Sequence, residues 1–384
     1  MSLDNSNILK MYKPFPISIE KTSGIYVYSR DQKKYVDTFS GIGVMSFGHS
    51  YQPLISVMHE KMSLFMHVSN FFLDEDATRV ADMLVGFTKK SGKVFFTNSG
   101  TEATEAALKA IKKAAAKDKC RIIHFRDGFH GRTLGALSLN GFKKLREPFE
   151  PLFENTVELE FNNIACLESY MNENGDKVVA LFLEPVQGSG GVVPMNIKFA
   201  AKIMEMREKY KFIVVSDEIQ SGLGRTGEVY SYQNIKIDPD IILIGKSIGG
   251  GLPLGAAIFL GETANYLKFG EHGSTFAPNP VALAGARFVL ENMPPLLPEV
   301  KKKGAYLAEK LRALNSPKIR VIRGMGLMIG VLLNHDDENL RDRAFSSEQL
   351  LINVLSNKLI RLLPPLNIEY AEIDMICEKL GKVL

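Results

Sequence analysis

The sequence predicts an α/β protein built around a mostly parallel sheet. Nearly unbroken apolar runs recur at 94–96, 121–125, 178–183, 212–215 and 241–244. Segments long enough for helices separate them. A strand covered on both faces has no polar side, and parallel strands need crossovers of this length. Chemical groups also follow each run: Ser99, Gly100 and Thr101; Phe129, His130 and Arg132; Glu184; Asp217 and Gln220; Lys246. In open α/β sheets, ligands sit beyond the carboxyl ends of the strands. Five such deliveries to one edge imply a site.

Taken in order, residues 24–28 and 35–39 are β-rich and flank a polar turn at 29–34, which predicts a small antiparallel element. Ser99 and Glu102 have the S-x-x-E spacing of a capping box and open an Ala-rich helix running to about Lys117. After Pro280 the chain turns helical, notably over 301–314. A strand is expected at 326–333 and a closing helix from Glu369. The expected division is a small domain from 1–56 and 284–384 beside a large domain over 57–283.

Composition narrows the function. With 45% hydrophobic and 23% charged residues, the 384-residue chain is neither disordered nor collagenous. A net charge of +4 leaves no basic block for nucleic acid. Cys120, Cys166 and Cys377 follow no C-x-x-C spacing, and the histidines have no zinc-site pattern, so no metal is expected. The N-terminus, with Asp4, Lys10, Lys13, Pro14 and Pro16, lacks the apolar stretch of a signal peptide, and no run suits a membrane span. The expectation is a cytoplasmic protein.

Two phosphate motifs fail on context. The run Gly222-Leu223-Gly224-Arg225-Thr226-Gly227 matches G-x-G-x-x-G, but residues 217–221 intervene after the strand and no helix pattern follows. Gly245-Lys246-Ser247 resembles the end of a P-loop, but Asp240 stands where its first Gly belongs. By contrast, Gly100 at a helix start leaves backbone N–H groups free for a phosphate; an ordinary cap is the competing reading. Asp217, ending an apolar strand, suits either a structural partner or a pyridine nitrogen that must stay protonated. Lys246 at a strand end suits a nucleophile toward carbonyls, although a lone Lys is usually a solvated surface group. Phe129 suits stacking or core packing, and His130 a hydrogen-bonded structural role. Arg132 and Arg361 suit carboxylate clamps or surface ion pairs.

These residues, in this order, resemble the class III (ω-amino acid) family of pyridoxal-phosphate aminotransferases. The likeness spans essentially the whole chain, from Ser40-Gly41-Ile42 and Gly48-His49 through Glu184-Pro185-Val186-Gln187-Gly188 to the run from Arg361 to Leu366. Lys246 lies 29 positions after Asp217, as in that family. The resemblance implies fold type I and pyridoxal 5'-phosphate. It implies that Lys246 forms the internal aldimine and shuttles the proton, and that Asp217 salt-bridges the pyridinium nitrogen. Gln220 would reach the ring's phenolic oxygen, Phe129 would stack on the ring, and Gly100 and Thr101 would hold the phosphate through backbone and hydroxyl. Thr275 (to phosphate) and Ser274 (toward substrate) would come from the neighbouring subunit, which places the site at a homodimer interface.

Within the family, 129–133 and 323–330 resemble the acetylornithine branch most. Arg132 would then grip the distal carboxylate of N-acetylornithine, and Arg361 the α-carboxylate of glutamate or 2-oxoglutarate, in a ping-pong exchange between amino acid and 2-oxoacid. One position departs: relatives commonly carry Glu where this chain has Ser189. There it would neutralise the glutamate-binding arginine. Ornithine, 4-aminobutyrate, succinylornithine or acetyl-lysine aminotransferases, and an aminomutase, share the fold and cofactor. A nicotinamide dehydrogenase, on the Gly222–Gly227 match, and a regulatory protein without turnover are the readings from other classes.

Overall fold

The structure is a computed structural model that describes residues 7–384. Asp4 and the rest of the first six residues lie outside the described residues. The antiparallel element near the N-terminus has one strand more than the sequence suggests: β1 (Ile19–Ser23), β2 (Tyr26–Ser29) and β3 (Lys34–Asp37). β1 carries four exposed positions of five, so it lacks the apolar alternation that would reveal it.

Next in the chain come β4 (Gly92–Thr97), β5 (Arg121–Phe125), β6 (Thr156–Leu159), β7 (Val178–Leu183), a small β8 (Val186–Gln187) and β9 (Val193–Pro194) hairpin, β10 (Ile213–Asp217), β11 (Ile241–Ile244) and β12 (Gly255–Leu260). Seven of these form the central sheet, in the order β4-β12-β11-β10-β7-β5-β6. The five apolar runs are all strands of it. Only β12 runs against the rest, pairing antiparallel with both β11 and β4. The other six strands therefore end on one edge. The central strands β7 and β11 are buried at every position, which explains their unbroken apolar composition: each fully buried Val, Leu or Ile contributes about 1.5–3 kcal/mol.

Helices cover both faces. The Ala-rich helix spans Gly100–Ala114, ending three residues before Lys117 because Ala115 is extended at ψ 136°. Its Ala103, Ala106, Ala107, Ala110 and Ile111 form a cluster with Val215, Leu243 and Ala257 of the sheet. Alanine on this face lets the helix axis approach the strands closely, which brings its N-terminus to the sheet's functional edge.

The C-terminal part holds helices Pro280–Asn292, Leu297–Ala313 and Tyr370–Val383, and β13 (Ile319–Met325), β14 (Met328–Leu333), β15 (Leu350–Leu351), β16 (Asn353–Leu355) and β17 (Leu359–Leu362). The strand expected at 326–333 is β14, in a sheet ordered β13-β14-β17-β16. β15 pairs in parallel with β3, joining Val36 and Asp37 to Leu350 and Leu351. The Gly222–Gly227 run opens no helix; it turns, with Gly224 at φ 87° and Gly227 at φ 85°. No helix of the described residues is long and apolar enough to cross a membrane.

Candidate active site

The carboxyl edge of the sheet and the start of the Gly100–Ala114 helix enclose a cavity of about 430 Å³. Gly100, Thr101, Phe129, Arg132, Asp217, Gln220 and Lys246 all line it. The expected helix cap is modified. Ser99 Oγ accepts from Glu102 N (3.3 Å), but Glu102 Oε2 turns back to Asn98 N (2.7 Å), one residue before the position a capping box would satisfy. The first-turn amides of Gly100 and Thr101 have no intrahelical acceptor and sit at the positive end of the helix dipole. A Cβ on Gly100 would lie 2.6 Å from Ile219 Cδ1, so any larger residue there forces the Ile219 side chain to move. Gly245 packs on its backbone, 3.2 Å from a Cβ position to Gly100 N.

Asp217 ends β10 and is buried. Its partner is His130 rather than Arg or Lys: His130 Nδ1 donates to Asp217 Oδ2 at 2.7 Å, with both side chains all but excluded from solvent. Asp217 Oδ1 accepts from Ile219 N (3.1 Å). Burial disfavours charge on the His130 ring, but the hydrogen bond and charge of Asp217 overcome it and raise its pKa. The hydrogen bond thus ties the His130 imidazole to the Asp217 carboxylate in the cavity wall.

Lys246 follows β11 and has φ +48°, left-handed backbone that a side-chain-bearing residue holds at a cost of about 1–3 kcal/mol. Burial lowers its ammonium to about 8; the charge of Asp217 opposes this and Arg361 adds to it. A neutral amine is therefore accessible near physiological pH, as a nucleophile toward carbonyl carbon requires.

Glu184, which the sequence reading noted at a strand end without giving it a role, also lines the cavity. It accepts from Phe129 N (2.9 Å) and Gly188 N (3.2 Å), so it fixes the segment that presents the Phe129 ring. Burial pushes its carboxyl up to about 7; His130 acts against this and Asp217 with it. Its sequence signal was its place, one residue beyond an apolar strand like Asp217. Asn98, just after β4, lines the cavity as well, as do Val44 and residues 252–254. Val44 carried no signal, being an ordinary residue from a loop distant in sequence.

Three expected residues lie outside this lining. Arg361 on β17 is buried, and burial lowers its guanidinium to about 10. Its Nη1 donates to Gln220 Oε1 (3.0 Å) and its Nε to Asn353 Oδ1 (3.0 Å), so Gln220 is turned to Arg361. Ser274 Oγ accepts from Asn98 Nδ2 (3.1 Å) of its own chain, and Thr275 is exposed. The Thr101 hydroxyl is engaged too: it accepts from Arg132 N (3.1 Å) and Thr133 N (3.3 Å) and lies 2.9 Å from Thr133 Oγ1. Arg132 is exposed at the cavity rim, 5.6 Å from the Phe129 ring centre.

A primary amine, a buried carboxylate, an aromatic ring and an unpartnered helix start around one cavity match the functional groups of pyridoxal phosphate: aldehyde, pyridine nitrogen, flat ring and phosphate. The comparisons agree. The family model for class-III aminotransferases matches residues 8–384, and the chain belongs to that family. It is a pyridoxal-phosphate-dependent aminotransferase. Among curated relatives, the acetylornithine aminotransferase of Aquifex aeolicus is 36% identical, over 98% of this chain and 99% of its own. That of Clostridium acetobutylicum is 35% identical over 97% of each. Among solved structures, ornithine aminotransferase from Toxoplasma gondii superposes with TM-score 0.91 at 26% identity, covering 99% of this chain and 93% of that one. N-acetylornithine aminotransferase from Stenotrophomonas maltophilia gives TM-score 0.83 at 28% identity, covering 96% of each.

Proposed function

We propose that the enzyme transfers the δ-amino group of N2-acetyl-L-ornithine to 2-oxoglutarate, giving N-acetylglutamate 5-semialdehyde and L-glutamate. The observation that carries the chemistry is the convergence of Lys246, Asp217 and the Gly100 helix start on one cavity. The substrate rests on the full-length likeness to acetylornithine aminotransferases.

In this reading Gly100 and Thr101 hold the phosphate through their amides, Phe129 covers the ring, and Asp217 keeps the ring nitrogen protonated with His130 behind it. Pyridoxal phosphate, when bound, supplies an electrophilic carbon and an electron-withdrawing ring. The Lys246 amine is the covalent anchor. The Lys246 Nζ, its pKa lowered by burial, would also be the group that takes and returns the substrate's proton. Arg132 at the rim orients the distal carboxylate of the donor. Arg361 would hold the α-carboxylate of the oxoacid in place of Gln220. Donor and acceptor bind in turn, so the kinetics are ping-pong.

A homodimer with the site at its interface belongs to the same proposal. Phe71, Phe72 and Leu73 are exposed at 96%, 70% and 100%, and Leu64, Met66 and Phe276 are exposed too. Asn70 Nδ2 donates to Ser274 O (2.8 Å), linking this apolar surface to the segment that reaches Asn98 at the cavity. Bare apolar surface of this kind is normally covered by a partner. The small domain of 1–56 and 284–384 around a large domain of 57–283 is likewise proposed, supported by the β3–β15 pairing. A reducing, cytoplasmic setting is supported by three free cysteines.

The test is borohydride reduction of the purified holoenzyme followed by peptide mapping. The label is expected on Lys246; a label elsewhere, or none, overturns the chemistry. Spectral titration with acetylornithine, ornithine and 4-aminobutyrate then decides the donor. Acetylornithine is expected to bleach the cofactor band at the lowest concentration.

A further inference from the structure

The glycine-rich run 222–227 opens no helix, and its arginine is buried without a carboxylate partner. Arg225 is 2% exposed, Nη2 has no protein partner, and burial alone lowers the group to about 10 with no acid opposing it. Desolvating a guanidinium in this way is unfavourable, so what its donors hold matters. Nη1 donates to Leu327 O (3.1 Å) and to Pro364 O. The Arg225 backbone O accepts from Leu327 N (3.0 Å). The fit is close: a Cβ on Gly326 would stand 2.7 Å from Arg225 O, and one on Gly224 2.7 Å from Met293 Cγ.

These contacts bridge two parts of the site. Arg225 lies five residues after Gln220 in the loop that leaves Asp217. Pro364 lies three residues after Arg361. Gln220 and Arg361 are themselves bonded (3.0 Å). The Asp217 loop is thus tied twice to the end of β17, once at Gln220–Arg361 and once at Arg225–Pro364. When a substrate carboxylate takes Arg361 from Gln220, the first tie opens and the second still joins the Asp217 loop to the residues that follow β17. We propose that Arg225 is a positioning residue that holds Arg361 at its working distance from the cavity while Arg361 exchanges Gln220 for substrate. This rests on the reading of Arg361 as the oxoacid's carboxylate clamp.

The test uses holoenzyme with Arg225→Met, Arg225→Lys and, as reference, Arg361→Lys. The two half-reactions are followed separately in single turnovers, and binding of unreactive glutarate is measured by calorimetry. Arg225→Met is expected to weaken 2-oxoglutarate and glutarate by about tenfold, while the acetylornithine half-reaction changes by less than about twofold. Arg225→Lys, which keeps one donor and the charge, is expected to fall between it and wild type. A merely structural role would lower the active fraction and slow both half-reactions alike, and that result overturns the proposal. So does unchanged oxoacid affinity in Arg225→Met beside a weakened Arg361→Lys. If Arg361→Lys itself leaves oxoacid and glutarate affinity intact, the clamp reading fails instead, and the proposal with it. Should Arg225→Met not fold, Arg225→Lys decides: a selective loss of about threefold or more for the oxoacid supports the proposal, and no selective loss overturns it.

Discussion

His130 and Asp217 meet at 2.7 Å in the floor of the cavity, each with less than a twentieth of its side chain exposed. Burial disfavours charge on the imidazole, yet its pKa is raised above the ordinary 6.5 because the carboxylate hydrogen-bonds to it. A folded-state pKa above the unfolded one stabilises the fold fully below about pH 6.5. That contribution is lost as pH rises through the folded value. Urea midpoints of wild type and His130→Gln, measured from pH 5 to 9, are expected to differ most at the acid end and to converge upward. A gap independent of pH would show that the ring is neutral throughout.

Gly100→Ala places a methyl against Ile219 at the site proposed for the phosphate. Overpacking of this kind costs about 1–3 kcal/mol, and here the strain falls on the helix start itself. The expected result is cofactor affinity lowered by about tenfold or more, with a modest fall in Tm. Equilibrium dialysis against pyridoxal phosphate measures it. Wild-type affinity would place the phosphate elsewhere.

Leu73→Asp puts a charge on the exposed apolar surface near Asn70 and Phe276. In a lone chain this substitution is nearly neutral, since Leu73 buries nothing. In the proposed dimer it separates the subunits and removes most of the activity. Sedimentation velocity at several concentrations, with activity assayed alongside, distinguishes the two. An active, undisturbed assembly would move the interface to another face.

Ser189→Glu introduces the acid that the family resemblance implies at this position. A carboxylate near Arg361 would shield its charge, favouring the ω-amine donor over glutamate. The ratio of the acetylornithine to the glutamate half-reaction rate is expected to rise. An unchanged ratio would show that position 189 has no influence on Arg361.

Much of the fold was legible because the five long apolar runs carry their burial in their composition. β12 is equally buried, but its Gly-Ala-Ala start follows the glycines after Lys246, so it reads as part of that loop. β6 pairs only with β5 at the sheet's edge and is mostly half-buried, which leaves a weak pattern. The cavity lining was legible where a group ended a strand, as with Asp217 and Lys246. It was not where a loop from afar folds back, as with Val44. Nor do strand ends show which side chain bonds which: the Arg361–Gln220 and His130–Asp217 pairings join residues 141 and 87 positions apart.

In the clamp role proposed for Arg361, an arriving acid must evict the Gln220 amide oxygen already bonded to it instead of displacing bulk solvent alone. Its net affinity is a difference between two similar attachments, so weak or misplaced carboxylates gain little by entering. On departure the amide closes over the vacated guanidinium at once. In that role product leaves without stranding a bare cation.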